Sequence, residues 1–184
     1  MKQSTTFSPA DGWLSSFVYC PRCGSKRFIP TSERSKRCKD CDFTYYINGS
    51  GAYVAFILNN RGELLFTLRK REPAKATLDI PGGFSDPGES AEEGIAREVE
   101  EETGLKVVTS KYLFSIPNRY EFSGMAIPTL DLFFLCEIDG DGSNACASDD
   151  AEALFWIKPN DVKLDRIGLN SIRQGVARFI NSLL

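Results

Sequence analysis

Residues 83 to 105 read Gly-Phe-Ser-Asp-Pro-Gly-Glu-Ser-Ala-Glu-Glu-Gly-Ile-Ala-Arg-Glu-Val-Glu-Glu-Glu-Thr-Gly-Leu, a glycine turn running into a segment crowded with carboxylates. Ser90 followed by Glu93 is a capping box, so a helix is expected to start there, and Gly104 is placed to end it in the left-handed conformation. At about 100° per residue, Glu98, Glu101 and Glu102 of such a helix fall within an arc of about 100°, whereas Glu93 and Glu100 point to the other side. Glu98, Glu100, Glu101 and Glu102 in the last turns set like charges beside one another and against the negative end of the helix dipole. Hard divalent cations bind carboxylate oxygens, and magnesium keeps several waters while bridging protein carboxylates to substrate phosphates. A solvated acidic face is the alternative reading of such a run.

The spacing favours the metal. Gly83, Glu89, Arg97, Glu98, Val99, Glu101, Glu102, Gly104 and Leu105 match all nine fixed positions of the pattern G-x5-E-x7-R-E-U-x-E-E-x-G-U, with U a bulky aliphatic residue. Agreement at so many positions is far more specific than a lone glycine-rich loop. The string resembles the signature of the Nudix hydrolases, and the resemblance covers roughly residues 50 to 160. It implies an α/β/α sandwich with a mixed sheet, and Mg²⁺-dependent (or Mn²⁺-dependent) hydrolysis of a nucleoside diphosphate linked to another moiety. It also implies that Glu98, Glu101 and Glu102 are the main metal ligands, with Glu98 doubling as candidate base, and that Glu89 and Arg97 brace the loop against the helix. A further acid in many relatives comes from a loop before a Trp-bearing strand. Here Asp149, Asp150 and Glu152 precede Trp156, and Asp150 is the expected one. Gly82 and Gly83 could let a backbone carbonyl reach the metal, Gly83 being the expected ligand, although a mere tight turn explains either glycine equally well.

Upstream, Cys20-Pro-Arg-Cys23 and Cys38-Lys-Asp-Cys41 form two CxxC pairs separated by fourteen residues. Thiolates in tight knuckles can point at one ion, and two knuckles complete a tetrahedral Cys₄ zinc site, with Gly24 supplying the freedom for the first turn. Two disulfides are the rival reading. With no secretory signal peptide recognisable, a reducing compartment and zinc are favoured. A closed Cys₄ site has no open position, so its zinc is expected to be structural. Cys136, in an apolar run, reads as core, and Cys146, in a loop, as incidental.

The chain contains no histidine. Neither metal site can use imidazole and the commonest general base is missing, so a carboxylate or a metal-bound hydroxide must activate water. Substrate choice is less legible. A zinc ribbon before a Nudix domain resembles the NADH pyrophosphatase branch, some of whose members remove NAD caps from RNA. That branch carries a Ser-Gln-Pro-Trp-Pro-Phe-Pro string, and here residues 115–124 read Ser-Ile-Pro-Asn-Arg-Tyr-Glu-Phe-Ser-Gly instead. Arg119, Tyr120 and Phe122 could still stack a base or hold a phosphate, with core packing as the alternative. ADP-ribose or a similar compound is the leading substrate, and NAD(H) or a deNADding activity on capped RNA the second. A different class of reading is a nucleic-acid-binding regulator whose Nudix domain senses a ligand. Retention of every motif glutamate favours the enzyme.

The elements that must position these residues follow from pattern and composition. The 184 residues, 42% of them hydrophobic, suit one moderate domain and a small module. The formal charge is −3, yet residues 20 to 41 carry seven Lys or Arg against Glu33 and Asp40. This basic ribbon is a candidate for contact with nucleic acid or polyphosphate, against the reading of a solvated face. No apolar stretch approaches the roughly 20 residues of a membrane span, so a soluble, cytoplasmic protein without a membrane partner is expected, and a homodimer stays open. Residues 1–16 read as a polar, turn-rich tail with Trp13 the one docking candidate, 17–46 as the ribbon, Asn48-Gly-Ser-Gly51 as a linker, and 50–184 as the Nudix domain. Strands are expected over 52–58 and 64–71, joined as a hairpin by the Asn59-Asn60-Arg61-Gly62 turn, and over 106–115, 129–138 and 153–158. A last helix from about Asn170 to Ser182 would place Ile172, Val176, Phe179 and Ile180 on one face.

Overall fold

The computed structural model describes residues 12–148 and 151–183. The chain divides into two compact units, Met1–Gly49 with Arg119–Pro128, and Ser50–Asn118 with Thr129–Leu184.

The first unit is built on three short antiparallel strands in the order β1 (Phe28–Ser32), β2 (Ser35–Cys38), β3 (Thr44–Tyr46). Too small for a large apolar core, it buries Cys20, Phe28 and Cys38 together, with Phe17, Phe43 and Tyr45 packed around them. Ordered packing begins before the expected boundary at residue 17. Leu14 is buried, and the Lys36 ammonium donates to the carbonyls of Leu14 (3.5 Å) and Phe17 (2.5 Å). The rest of this unit is the far end of a long hairpin, β7 (Val107–Phe122) and β8 (Met125–Ile138). Its two-residue turn holds Ser123 and Gly124 at φ 51° and 73°, the pair of positive angles that matches the twist of a tight hairpin. The two strands are therefore much longer than the apolar pattern suggested, because their outer halves leave the second unit's core. There the Arg119 guanidinium lies over the Trp13 ring, 5.3 Å from its centroid.

The second unit contains two three-stranded sheets. One runs β4 (Ser50–Ile57), β8, β7, with β4 and β8 parallel from Ser50↔Thr129 to Ile57↔Cys136. The other runs β6 (Leu78–Asp79), β5 (Leu64–Arg69), β9 (Ala151–Ile157), all antiparallel. Strand alternation sends Tyr53, Ala55, Ile57, Leu65 and Phe134 to one apolar cluster with Ile95, Val99 and Leu105. It sends Val54, Phe56, Leu64, Phe66 and Phe133 to another with Ile172, Val176 and Phe179. The former cluster packs on helix α1 (Ala91–Thr103) and the latter on helix α2 (Asn170–Leu183). Sheets buried on both faces between two helices make the expected α/β/α sandwich. Each large side chain sealed in these layers contributes about 1.5–3 kcal/mol, and Phe56 stacks on Phe179 at 4.1 Å between centroids.

The expected hairpin of β4 and β5 is corrected. The chain does reverse at Asn59–Gly62, with Asn59 N–H donating to Glu63 O at 3.0 Å. Beyond the single Leu58↔Leu64 bridge, however, the two strands part into different sheets. Apolar residues on both faces of each strand reward separate burial more than continued pairing. No helix among the described residues is long and apolar enough to cross a membrane.

Candidate active site and metal centre

Helix α1 begins and ends where its sequence dictates. Ser90 Oγ accepts from Glu93 N–H at 3.2 Å while the Glu93 carboxylate accepts from Ser90 N–H at 2.8 Å, and Gly104 closes the helix at φ 67°. The turn opposite, residues 81–85, is laid along the free edge of β4. Ala55 N–H donates to Pro81 O (2.8 Å), Tyr53 N–H to Gly83 O (2.8 Å), and Ser85 N–H to Gly51 O (3.0 Å). Gly82 sits at φ 152° with its Cα against the chain of β4, where a Cβ would come within 2.0 Å of Tyr53 O. A Cβ on Gly83 would come within 2.4 Å of the Glu98 carboxylate, so Glu98 lies directly on the turn.

Arg97 organises the carboxylates. It grips Glu89 with Nε and Nη2, both at 3.0 Å, and reaches Glu98 (2.8 Å) and Glu101 (3.0 Å) through Nη1. Its Nη2 also donates to Phe84 O at 3.2 Å, tying helix to turn. Glu89 accepts a further hydrogen bond from Asp86 N–H at 2.7 Å. Glu102 accepts from Gly82 N–H at 3.1 Å. Glu98, Glu101 and Glu102 thus address the same side of the helix, whereas exposed Glu100 takes part in none of these contacts.

The electrostatics sort these groups. Burial holds the Glu98 carboxyl above the usual carboxylate range despite the Arg97 hydrogen bond, and the charges of Glu101 and Glu89 add to the rise. The Arg97 fork, then the Asp86 N–H, hold Glu89 below that range. Arg97 itself is held more firmly protonated by Glu89. Three carboxylates sharing one guanidinium leave an excess of negative charge, which suits a hard divalent cation. Their oxygens are spread between Arg97 and the turn. Among the described residues, the four cysteines are the group whose ligand atoms converge on one point.

The cysteine cluster has metal-site dimensions. All four Sγ atoms lie within 4.8 Å of one another, with Cys20 to Cys41 at 3.7 Å and Cys23 to Cys38 at 3.6 Å. Sulfurs about 2.3 Å from a tetrahedral zinc stand about 3.8 Å apart, whereas a disulfide needs about 2.05 Å. All four thiols are free, and the cluster is compatible with zinc. The two knuckles repeat one geometry: Gly24 N–H donates to Cys20 O (2.8 Å) and Asp42 N–H to Cys38 O (3.1 Å), with φ 73° at Gly24 and 57° at Asp42. Aspartate is among the few residues that tolerate this left-handed position, so the second turn needs no glycine.

Other expected residues fall elsewhere. Arg119, Tyr120 and Phe122 belong to the first unit, not to the unit carrying the motif. Asp150 and its neighbour Asp149 lie outside the described residues, and Glu152 is exposed on β9. Sequence reasoning passed over Tyr53, buried beside Glu89, and Gly94, whose lack of a side chain makes room for both. The available signal was a glycine inside a helix, where it costs about 1 kcal/mol relative to alanine.

The chain is 28% identical over 172 residues to the NAD-capped RNA hydrolase NudC of Stutzerimonas stutzeri (strain A1501), covering 93% of this chain and 57% of the relative. The protein of the same name from Chromobacterium violaceum is 31% identical over 122 residues, 66% of this chain and 43% of the relative. The chain thus spans about half the length of these relatives. A Nudix hydrolase from Nitrosomonas europaea superposes with a TM-score of 0.68 at 18% identity, covering 89% of this chain and 90% of that one. The Nudix domain of Shewanella oneidensis NrtR, solved with ADP ribose, gives 0.62 at 16% identity over 76% of this chain and 91% of that one. The NUDIX domain family model itself matches residues 48–179, spanning α1, most of α2, the glycine turn and the glutamate face, so the chain belongs to the Nudix family.

Proposed function

We propose that the chain catalyses metal-dependent hydrolysis of the diphosphate linkage of a nucleoside diphosphate derivative, with ADP-ribose as the leading substrate. The observation that carries this reading is the Glu98, Glu101 and Glu102 face of α1, set against the Gly82–Gly83 turn and ordered by Arg97. Magnesium or manganese bound there supplies charge neutralisation and a water of lowered pKa. Glu98, Glu101 and Glu102 hold the cation. Gly83 O spends one lone pair on Tyr53 N–H and has a second to offer. Glu98, which lies directly on the glycine turn, takes the proton of the attacking water, with Asp150 the alternative base. Glu89 and Arg97 brace this arrangement. Cys20, Cys23, Cys38 and Cys41 hold a structural zinc, and a cytoplasmic setting that keeps thiols reduced fits it.

A second reading, hydrolysis of NAD(H) or of NAD-capped RNA, is favoured by the relatives named for that activity. The two are separated by assaying product from ADP-ribose, NADH, NAD⁺, NAD-capped RNA and nucleoside triphosphates, with and without Mg²⁺. Glu101→Gln and Glu102→Gln should each lower kcat by about a hundredfold or more, and Glu100→Gln little. Arg119→Ala and Phe122→Ala test the expected substrate contacts through KM. Equal losses at all three glutamates would contradict the shared face. No product from any of these compounds at saturating Mg²⁺ or Mn²⁺ would leave a ligand-sensing regulator instead.

A further inference from the structure

Tyr53 touches both halves of the candidate site. Its backbone belongs to the glycine turn: its N–H donates to Gly83 O at 2.8 Å, and its carbonyl lies where a Cβ on Gly82 would approach within 2.0 Å. Its ring belongs to the helix. A Cβ on Gly94 would come within 2.1 Å of the ring's Cε2 and 2.6 Å of Glu89 Oε1, so ring and carboxylate fill one notch left by the missing side chain. Tyr53 is 4% exposed and its ring meets Phe134 edge-on at 6.5 Å, which leaves it little room to move aside. Burial, then the charge of Glu89, push its phenol above the ordinary value, consistent with a carboxylate beside the ring. A glycine inside a helix costs about 1 kcal/mol relative to alanine, and here alanine has no space.

We infer that Tyr53 is a positioning residue for the metal-binding face. Wedged at Gly94, its ring fixes Glu89, and the Glu89–Arg97 fork in turn fixes the carboxylates of Glu98 and Glu101 over the turn that the backbone of Tyr53 holds in place. The inference rests on the proposed role of that face as a metal site.

The test uses the full chain with its cysteine site saturated with zinc. Mn²⁺ is titrated by electron paramagnetic resonance without substrate, beside thermal unfolding and the metal dependence of ADP-ribose hydrolysis. Gly94→Ala should weaken Mn²⁺ binding about tenfold or more, the scale of losing a partner that orients ligands. Adding Tyr53→Leu, which lacks the outer ring edge, should restore at least half of that loss on a logarithmic scale, while Tyr53→Phe alone should stay within about twofold of wild type, because the wedge is the ring. Ile172→Val, in the core on the opposite face, should lower Tm and leave Mn²⁺ affinity unchanged. A Gly94→Ala protein that loses Tm but titrates like wild type would make Tyr53 merely structural and overturn the inference, as would a double variant no better than the single. If Gly94→Ala does not fold, Tyr53→Leu decides: about threefold or weaker Mn²⁺ binding supports the role, and an unchanged titration overturns it. Wild type that binds Mn²⁺ but hydrolyses nothing would fault the proposed reaction alone, and wild type that binds no Mn²⁺ would overturn both.

Discussion

Replacing Arg97 by lysine keeps the charge and removes the geometry. The guanidinium donates to both oxygens of Glu89 at 3.0 Å, to Glu98 at 2.8 Å, to Glu101 at 3.0 Å and to Phe84 O at 3.2 Å. An ammonium is a compact point charge that cannot reproduce a planar fork. The Glu101 limb counts for little because that side chain is 49% exposed, whereas those of Glu89 and Glu98 are 13% and 14% exposed. Charged hydrogen bonds in such surroundings are worth about 1.5–3 kcal/mol each. Taking the Glu89 fork and the Glu98 contact as one such interaction each, with lysine retaining one of the two, the expected loss is about 2 kcal/mol. At about 2–4 °C per kcal/mol for a chain of this size, Tm should fall by about 4–8 °C in the transition belonging to the sandwich unit. Differential scanning calorimetry reads this directly. A double-mutant cycle with Glu89→Gln should return a coupling of about 1 kcal/mol or more. The metal concentration for half-maximal hydrolysis should rise together with the loss of Tm. A Tm within about 1 °C of wild type, or strictly additive effects of the two substitutions, would refute the claim that the fork holds turn and helix together.

Three further outcomes are expected. Gly82→Ala should disrupt the turn and abolish hydrolysis, since φ is 152° and the new Cβ meets backbone at 2.0 Å, whereas Gly88→Ala, at φ 94° in open space, should cost only its backbone strain, read as a small Tm shift. Elemental analysis should find one zinc per chain, lost in Cys38→Ser, and chelation should raise hydrogen exchange in the ribbon while the sandwich, whose core holds no cysteine ligand, stays protected. Glu89, held below its ordinary range in the folded chain, contributes stability that is fully present above the unfolded value of about 4.3 and is lost as pH falls through the folded one. The Tm difference between wild type and Glu89→Gln should therefore be full at pH 7 and shrink below about pH 4.

The candidate metal-binding residues were legible in the sequence because their placement depends on spacing along single elements. A capping box, a left-handed terminal glycine and a fixed helical period place Glu98, Glu101 and Glu102 without reference to the rest of the chain, and paired CxxC knuckles do the same for four sulfurs. Helix α2 was legible for the same reason, its apolar face being written at helical period. What local pattern could not decide was which elements meet. β4 and β5 look like a hairpin, since the turn between them is a strong local signal, yet two-sided burial sends them into separate sheets. β7 and β8 look short, because their outer halves carry no core pattern and are set by the tight turn at Ser123–Gly124 and by packing in the other unit. Tyr53 and Gly94 are forty-one positions apart in the chain, and only the packing of α1 against β4 makes one the seat of the other. The sequence by itself determined the candidate ligands and the helix that carries the glutamates. Tertiary structure alone decided what holds that helix against the turn, because steric fit between distant residues leaves no period to read.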